Sequence, residues 1–183
     1  ISMILSVIFL MVVISSLVLA IDVNYIYVVP FCIAPIILKA FFDTRIALFT
    51  HLIAILIIGF IVPNGFEFVF LQLIAGIVSI LTVLKMYKRS QLFMSVAKVI
   101  VVYFVIYVSS LVVANDGSLS ESIFWVLVQL AISGALTLLA YPTIFLFEKI
   151  FSLVSDVSLL ELTDTNSALL RRLSEEAPGT FQH

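Results

Sequence analysis

The residues in this chain that could do chemistry are few. They are two histidines, one cysteine, one lysine set deep in an apolar run, two glutamines similarly placed, and a handful of prolines. His183 closes the stretch EEAPGTFQH. An imidazole there can ligate a metal or move a proton near neutral pH, but on residues alone it has no second ligand beside it. His51 opens the run HLIAILIIGF; a packed, hydrogen-bonded ring is the simpler reading and a proton relay the sharper one. Cys32, in PFCIAP, has no second cysteine to pair with and reads as a small buried side chain. Lys98 stands seven positions past Gln91, about 10 Å along a helix at 1.5 Å per residue. Its stem can snorkel that far to the headgroups, the alternative being a functional role facing the bundle. Lys39 is nearer a segment end and reads as an anchor. Gln72 and Gln129 are placed to bond across helices. There is no Walker loop, no CxxC and no HExxH, so the apolar segments show no enzyme.

Composition sets the elements that must position these residues. The chain is 63% hydrophobic and 11% charged, with mean hydropathy +1.31, against roughly 45–50% and 25% in soluble domains. Lipid must therefore be the solvent for most of it. A net charge of −2 gives no footprint for nucleic acid. The start, ISMILSVIFLMVVISSLVLA, has no initiator Met and no basic n-region, and its apolar run is too long for a signal peptide; it reads as the interior of a longer protein.

Six runs approach the ~20 residues a span needs: 1–21, 25–42, 46–62, 66–84, 92–114 and 123–147. None alternates as a membrane strand would, which predicts an all-α transmembrane bundle of six spans. Lys39, Arg45, Lys85, Lys88 and Arg89 flank the loops after the second and fourth runs, and Lys149, Arg171 and Arg172 follow the sixth. The other loops hold no Lys or Arg. The positive-inside rule then places the N-terminus of the chain and its tail in the cytoplasm. Pro30 and Pro35, in YVVPFCIAPIILK, should kink the second run or free carbonyls, giving either a ligand half-site or a packed bend. Pro142, in LAYPTIFLFEK, should bend the last span. With Lys98, these prolines are the candidate bundle or coupling residues.

After Phe147 the texture changes. Ile150, Phe151, Val154, Val157, Leu160 and Leu162 recur among polar residues, which predicts an amphipathic cytoplasmic linker over 148–165. Asn166 or Ser167 can cap the next helix, ALLRRLSEEA, and Pro178-Gly179 ends it. Residues 166–183 are too short for a domain and look like the entrance to one.

The stretch LLELTDTNSALLRRLSEEAPGTFQH, residues 159–183, resembles the junction of the seven-span HD-domain receptors, the PgpH-type cyclic di-AMP phosphodiesterase family. That family's pattern is roughly LLEL-D-N-PLL--L---APGT--H. Weaker similarity covers the P-IFLFEKIF exit and the YVVP…FFDTRIALF stretch. Ala168 stands where the family usually has proline, and Ser167 also departs; neither touches chemistry. The resemblance implies an N-terminal anchor, an extracytoplasmic sensor domain, seven spans in the bacterial inner membrane and a cytoplasmic HD hydrolase. The first of the seven spans would lie upstream of this chain. The resemblance also implies that His183 is the first metal ligand of the HD site. A divalent metal pair, Mn or Fe, would there activate water against cyclic di-AMP, giving pApA. The remaining ligands would lie beyond His183, so the chain alone is expected to hold no metal and to be inactive. The partners implied are the bilayer, the sensor and HD domains of the same chain, cyclic di-AMP and, as an open alternative, a second copy in a homodimer. The rival readings are a small transporter or channel with a regulatory tail, and a passive membrane anchor.

Overall fold

The computed structural model describes residues 1–83, 90–113 and 121–162, and all the regular structure among them is helical. The expected helix over 166–183, with Asn166, Ser167 and His183, lies outside the described residues. Long apolar runs leave the backbone only its own groups to bond, and helices follow. They are α1 (Ser2–Ile21), α2 (Ile33–Phe41), α3 (Thr44–Gly59), α4 (Gly65–Val83), α5 (Ser90–Val113), α6 (Glu121–Leu136), α7 (Ala140–Phe151) and α8 (Asp156–Leu162). A 3-10 turn, Val23–Val28, precedes α2, and another, Thr137–Leu139, joins α6 to α7.

Five segments are long and apolar enough to cross a membrane, against six expected. The exception is α3. Its 16 residues give about 24 Å of helix at 1.5 Å per residue, less than the roughly 30 Å of a hydrocarbon core. The expected third run continued to Val62, but the chain leaves the helix at Gly59 and turns through Pro63 into α4. Even so, α3 packs against α1, α2 and α4 and belongs to the same bundle.

The second segment is the centre of the molecule. Across Val23–Phe41, 61% of the residues are buried, against 17% in α1. Every residue from Phe31 to Leu38 is buried, and α2 packs against α1, α3, α4, α7 and α8. Phe31 meets Phe68 of α4 edge to face, centroids 5.1 Å apart, a favoured aromatic geometry. Outward-facing apolar residues such as Leu5, Phe9 and Leu17 of α1 are exposed, as lipid-facing residues must be.

Over its described residues, the amphipathic linker expected over 148–165 is two helices joined by a turn rather than one continuous helix. Helix α7 runs one turn past Phe147 and stops at Ser152, in the left-handed region at φ 52° and ψ 39°. The N–H groups of Ser152 and Leu153 both turn back to the Glu148 carbonyl, a common helix stop. Glu148 Oε1 accepts from Ser155 N at 2.8 Å, and Ser155 Oγ accepts from Ser158 N at 3.2 Å, capping α8. Polar side chains in SLVSDVS thus offered the backbone an alternative to continued helix.

Candidate functional site: a polar seam beside a broken helix

The break before α2 follows from Pro30. Val29 is extended, at φ −64° and ψ 124°, as the residue before a proline prefers, and Pro30 has no N–H to continue the turn. The freed groups are taken up locally. Phe31 N donates to Val29 O at 2.9 Å, and Ile33 N to Pro30 O at 3.0 Å. From α6, Ser133 Oγ reaches across to donate to Val29 O at 3.0 Å. Pro35 acts differently from the expected kink. It is the third residue of α2, within the first turn, where no N–H has a helical acceptor to lose. Of the two prolines, Pro30 interrupts and Pro35 initiates.

The break delivers Cys32 to a line of polar side chains drawn from the surrounding helices. Cys32 Sγ lies 3.1 Å from Tyr103 Oη of α5. Tyr103 donates to Gln72 Oε1 of α4 at 2.8 Å. The main-chain carbonyl of Gln72 lies 3.1 Å from His51 Nε2 of α3. Because a carbonyl only accepts, His51 must carry its proton on Nε2 in this arrangement. By the same logic Tyr103, donating to Gln72, accepts from the Cys32 thiol. All four side chains are buried. His51 fits only because Gly76 lies opposite it on α4; a Cβ at that position would overlap the imidazole.

Two buried atoms of the seam, His51 Nδ1 and Gln72 Nε2, have no hydrogen-bond partner, at a cost of about 1–3 kcal/mol each. The seam binds α2, α3, α4 and α5 into one register. It holds no nucleophile beside a base, since Cys32 meets Tyr103 and not His51. No group of three His, Cys, Asp or Glu able to hold a metal occurs among the described residues.

The other candidates from the sequence stand apart from the seam. Lys98 is exposed on α5 and Pro142 is exposed on α7. The irregular turn falls just before Pro142, at Thr137–Leu139, because the proline ring crowds the carbonyl four residues earlier, that of Leu138. Gln72 makes the cross-helix bond expected of it, whereas Oε1 of Gln129 is buried without a partner. Lys39, expected only to anchor, pairs with Asp156 of α8, Nζ to Oδ2 3.4 Å. No local spacing signals a contact between charges 117 residues apart.

Comparison with known proteins agrees with this architecture. Residues 1–155 match the family described as 7TM receptor with intracellular HD hydrolase. The cyclic-di-AMP phosphodiesterase PgpH of Bacillus subtilis is 29% identical over 164 residues, covering 86% of this chain and 23% of that protein. An uncharacterized protein of Synechocystis is 53% identical over 36 residues, 20% of this chain and 4% of the relative. The chain thus spans less than a quarter of either relative's length. No solved structure matches it. A helical bundle of membrane-spanning segments, matched over its whole described length up to α8, makes this chain a member of the family of seven-span receptors with an intracellular HD hydrolase.

Proposed function

We propose that this chain is the signal-transducing membrane region of a cyclic di-AMP phosphodiesterase. It would comprise a bundle (1–147), a cytoplasmic linker (148–165) and the start of an HD hydrolase domain (166–183). The observation that carries the reading is the similarity, along most of the chain, to a protein named a cyclic-di-AMP phosphodiesterase. The setting would be a bacterial cytoplasmic membrane, with both ends of the chain inside. Lys39, Arg45 and Lys149 lie at the end of the bundle that carries α8, and Asp22 and Glu67 at the other, which supports that orientation.

In this reading His183 contributes one imidazole to a divalent metal pair, Mn or Fe, with the other donors supplied from outside these 183 residues. The pair, when bound, supplies an activated water and neutralises charge on the phosphodiester. The role of the bundle is to set the position of the linker. Helix α7 runs without a break from the bundle to Ser152, and α8 packs back on α2, so a shift of the sixth segment has little slack before it reaches 156–162.

The test is the full-length protein assayed for conversion of cyclic di-AMP to pApA, beside His183→Ala and a variant with 148–165 replaced by a long Gly/Ser segment. Hydrolysis in the native protein, its loss in His183→Ala, and hydrolysis that no longer responds to the outer domain in the linker variant are expected. A native protein that hydrolyses no cyclic di-AMP refutes the substrate; regulation that survives the linker swap refutes the coupling. The broken α2 with polar groups around it is also a feature of transporters. Ligand-dependent flux in liposomes, with no effect of the linker swap, would favour that second reading.

A further inference from the structure

Helix α7 leaves the bundle with an apolar line on its outer face. Pro142, Leu146 and Ile150 stand four residues apart along it, so they share one side of the helix, and all three are exposed. Ile150 is 62% exposed, close to Leu146 at 55%. The line does not end with the helix. Beyond the left-handed turn at Ser152, Leu153 and Val154 are exposed as well, Val154 at 61%. The other side of this elbow is packed. Phe151 stacks on Phe147, centroids 5.6 Å apart, and Ser155 is buried. Phe151 and Val157 lie against the apolar cluster that contains Leu38 and Ala40 of α2. Large apolar side chains facing outward together at a chain reversal mark a contact surface.

Depth says what covers it. Val23–Phe41 is one of the segments long enough to cross the bilayer, so Phe41 stands at one edge of the hydrocarbon. Lys39, two residues before that end, reaches Asp156 at 3.4 Å, and α8 packs on α2. Helix α8 therefore begins at the level of the headgroup layer, about 5–7 Å deep on each side of the core. Only residues 152–155 join α7 to α8, and Ser155 is buried, which leaves no length to carry the elbow out into water. The charges agree. Glu148 Oε1 is turned back onto Ser155 N and Asp156 onto Lys39, while Lys149, beside Ile150, is exposed. Apolar side chains edged by a cation suit acyl chains lying under phosphates.

We propose that the elbow Ile150–Val154 is embedded in the bilayer leaflet at its end of the bundle. Ile150, Leu153 and Val154 lie among the upper acyl chains and Lys149 at the phosphates. Lipid then holds one point of the linker, between the last span and α8, and the outward face of α7 continues without interruption into the leaflet. The proposal does not rest on the phosphodiesterase reading, because its readout is a cross-link and not hydrolysis.

The test places the photo-reactive residue p-benzoylphenylalanine at Leu146, Ile150, Leu153 or Val154, one at a time. The full-length protein is irradiated in nanodiscs of phosphatidylglycerol, and the adducts are identified by mass spectrometry. Leu146, on the body of the bundle, is the reference for contact with lipid. Phospholipid should be the main adduct at Ile150, Leu153 and Val154, with yields within about threefold of the reference, as for a segment seated at the acyl boundary. Leu153 and Val154 are separate probes, so a disturbance of the turn by one leaves the other. Peptides of the HD domain as the main adduct at both would make the elbow a docking face for that domain. Peptides from a second copy would make it a dimer contact. Either result overturns the proposal. So does a lipid yield at both positions below the expected range while Leu146 still captures lipid.

Discussion

Gly76 is the residue at which the polar seam has least room to change. A methyl group there occupies the space of the His51 imidazole, so the ring must swing off the Gln72 carbonyl. Gly76→Ala should lower stability by about 1–3 kcal/mol, the cost of a buried polar group losing its partner, despite alanine's better helix propensity. Thermal unfolding in detergent measures it, and an unchanged or raised midpoint would show that the imidazole is not held there. Tyr103 is the other pivot, because its hydroxyl both accepts from Cys32 and donates to Gln72. A double-mutant cycle between Tyr103→Phe and Gln72→Leu should give a coupling of about 1 kcal/mol or more. Strict additivity would mean that the two side chains stabilise the bundle independently. The sequence made part of this legible. A glutamine in an apolar run must find a partner, so Gln72 was readable as a bonding residue. That its partner is a tyrosine 31 residues on depends on how α4 and α5 pack, which no local pattern encodes. Gln129 has the same local signature, yet its Oε1 faces no donor.

Between elements, proline and serine positions decide where helices stop. Hydrophobic run length located α1, α4 and α5 to within two or three residues of the observed bounds, since an apolar run in lipid has no alternative to helix. It placed α3 as closely, 46–62 against Thr44–Gly59, but overran its end, which is set by the turn through Pro63 rather than by hydropathy. It also treated Pro30 and Pro35 alike, although only their place relative to the first turn of α2 separates them. Ser152 was invisible for another reason: the left-handed stop uses a residue with no sequence preference for it, where glycine or asparagine is usual. That exception gives a prediction. Ser152→Gly removes the steric cost of a Cβ at φ 52° and should raise stability by up to about 1 kcal/mol, whereas Ser152→Val should lower it by at least about 1 kcal/mol. Melting of the two variants in parallel checks the sign. The same midpoint for both would mean that the chain does not turn left-handed there.

For the molecule as a whole, the arrangement turns on α2, which is broken at one end by Pro30 and joined at the other to α8. Along one buried rod the seam at Cys32, the body of the bundle and the linker helix are in mechanical series. The ion pair from Lys39 to Asp156 is the polar link at the lower joint. Asp156 is largely exposed, at 65% of its side-chain surface, so the pair contributes at most about 1 kcal/mol to stability. Its effect on position should be larger than its effect on folding, because α8 is a seven-residue helix and the pair ties it to α2. Asp156→Lys places like charges together and should leave the melting midpoint of the full-length protein nearly unchanged. If the proposed function holds, cyclic di-AMP hydrolysis, or its response to the outer domain, should shift several-fold. Lys39→Glu combined with Asp156→Lys restores attraction with the signs exchanged and should recover the native behaviour, which separates an electrostatic link from a simple loss of either residue. If instead Asp156→Lys and Lys39→Glu, each alone, hydrolyse and respond as the native protein does, α8 is not the transmitting element. The bundle would then act as an anchor, and replacing it with an unrelated anchor should leave regulation intact as well.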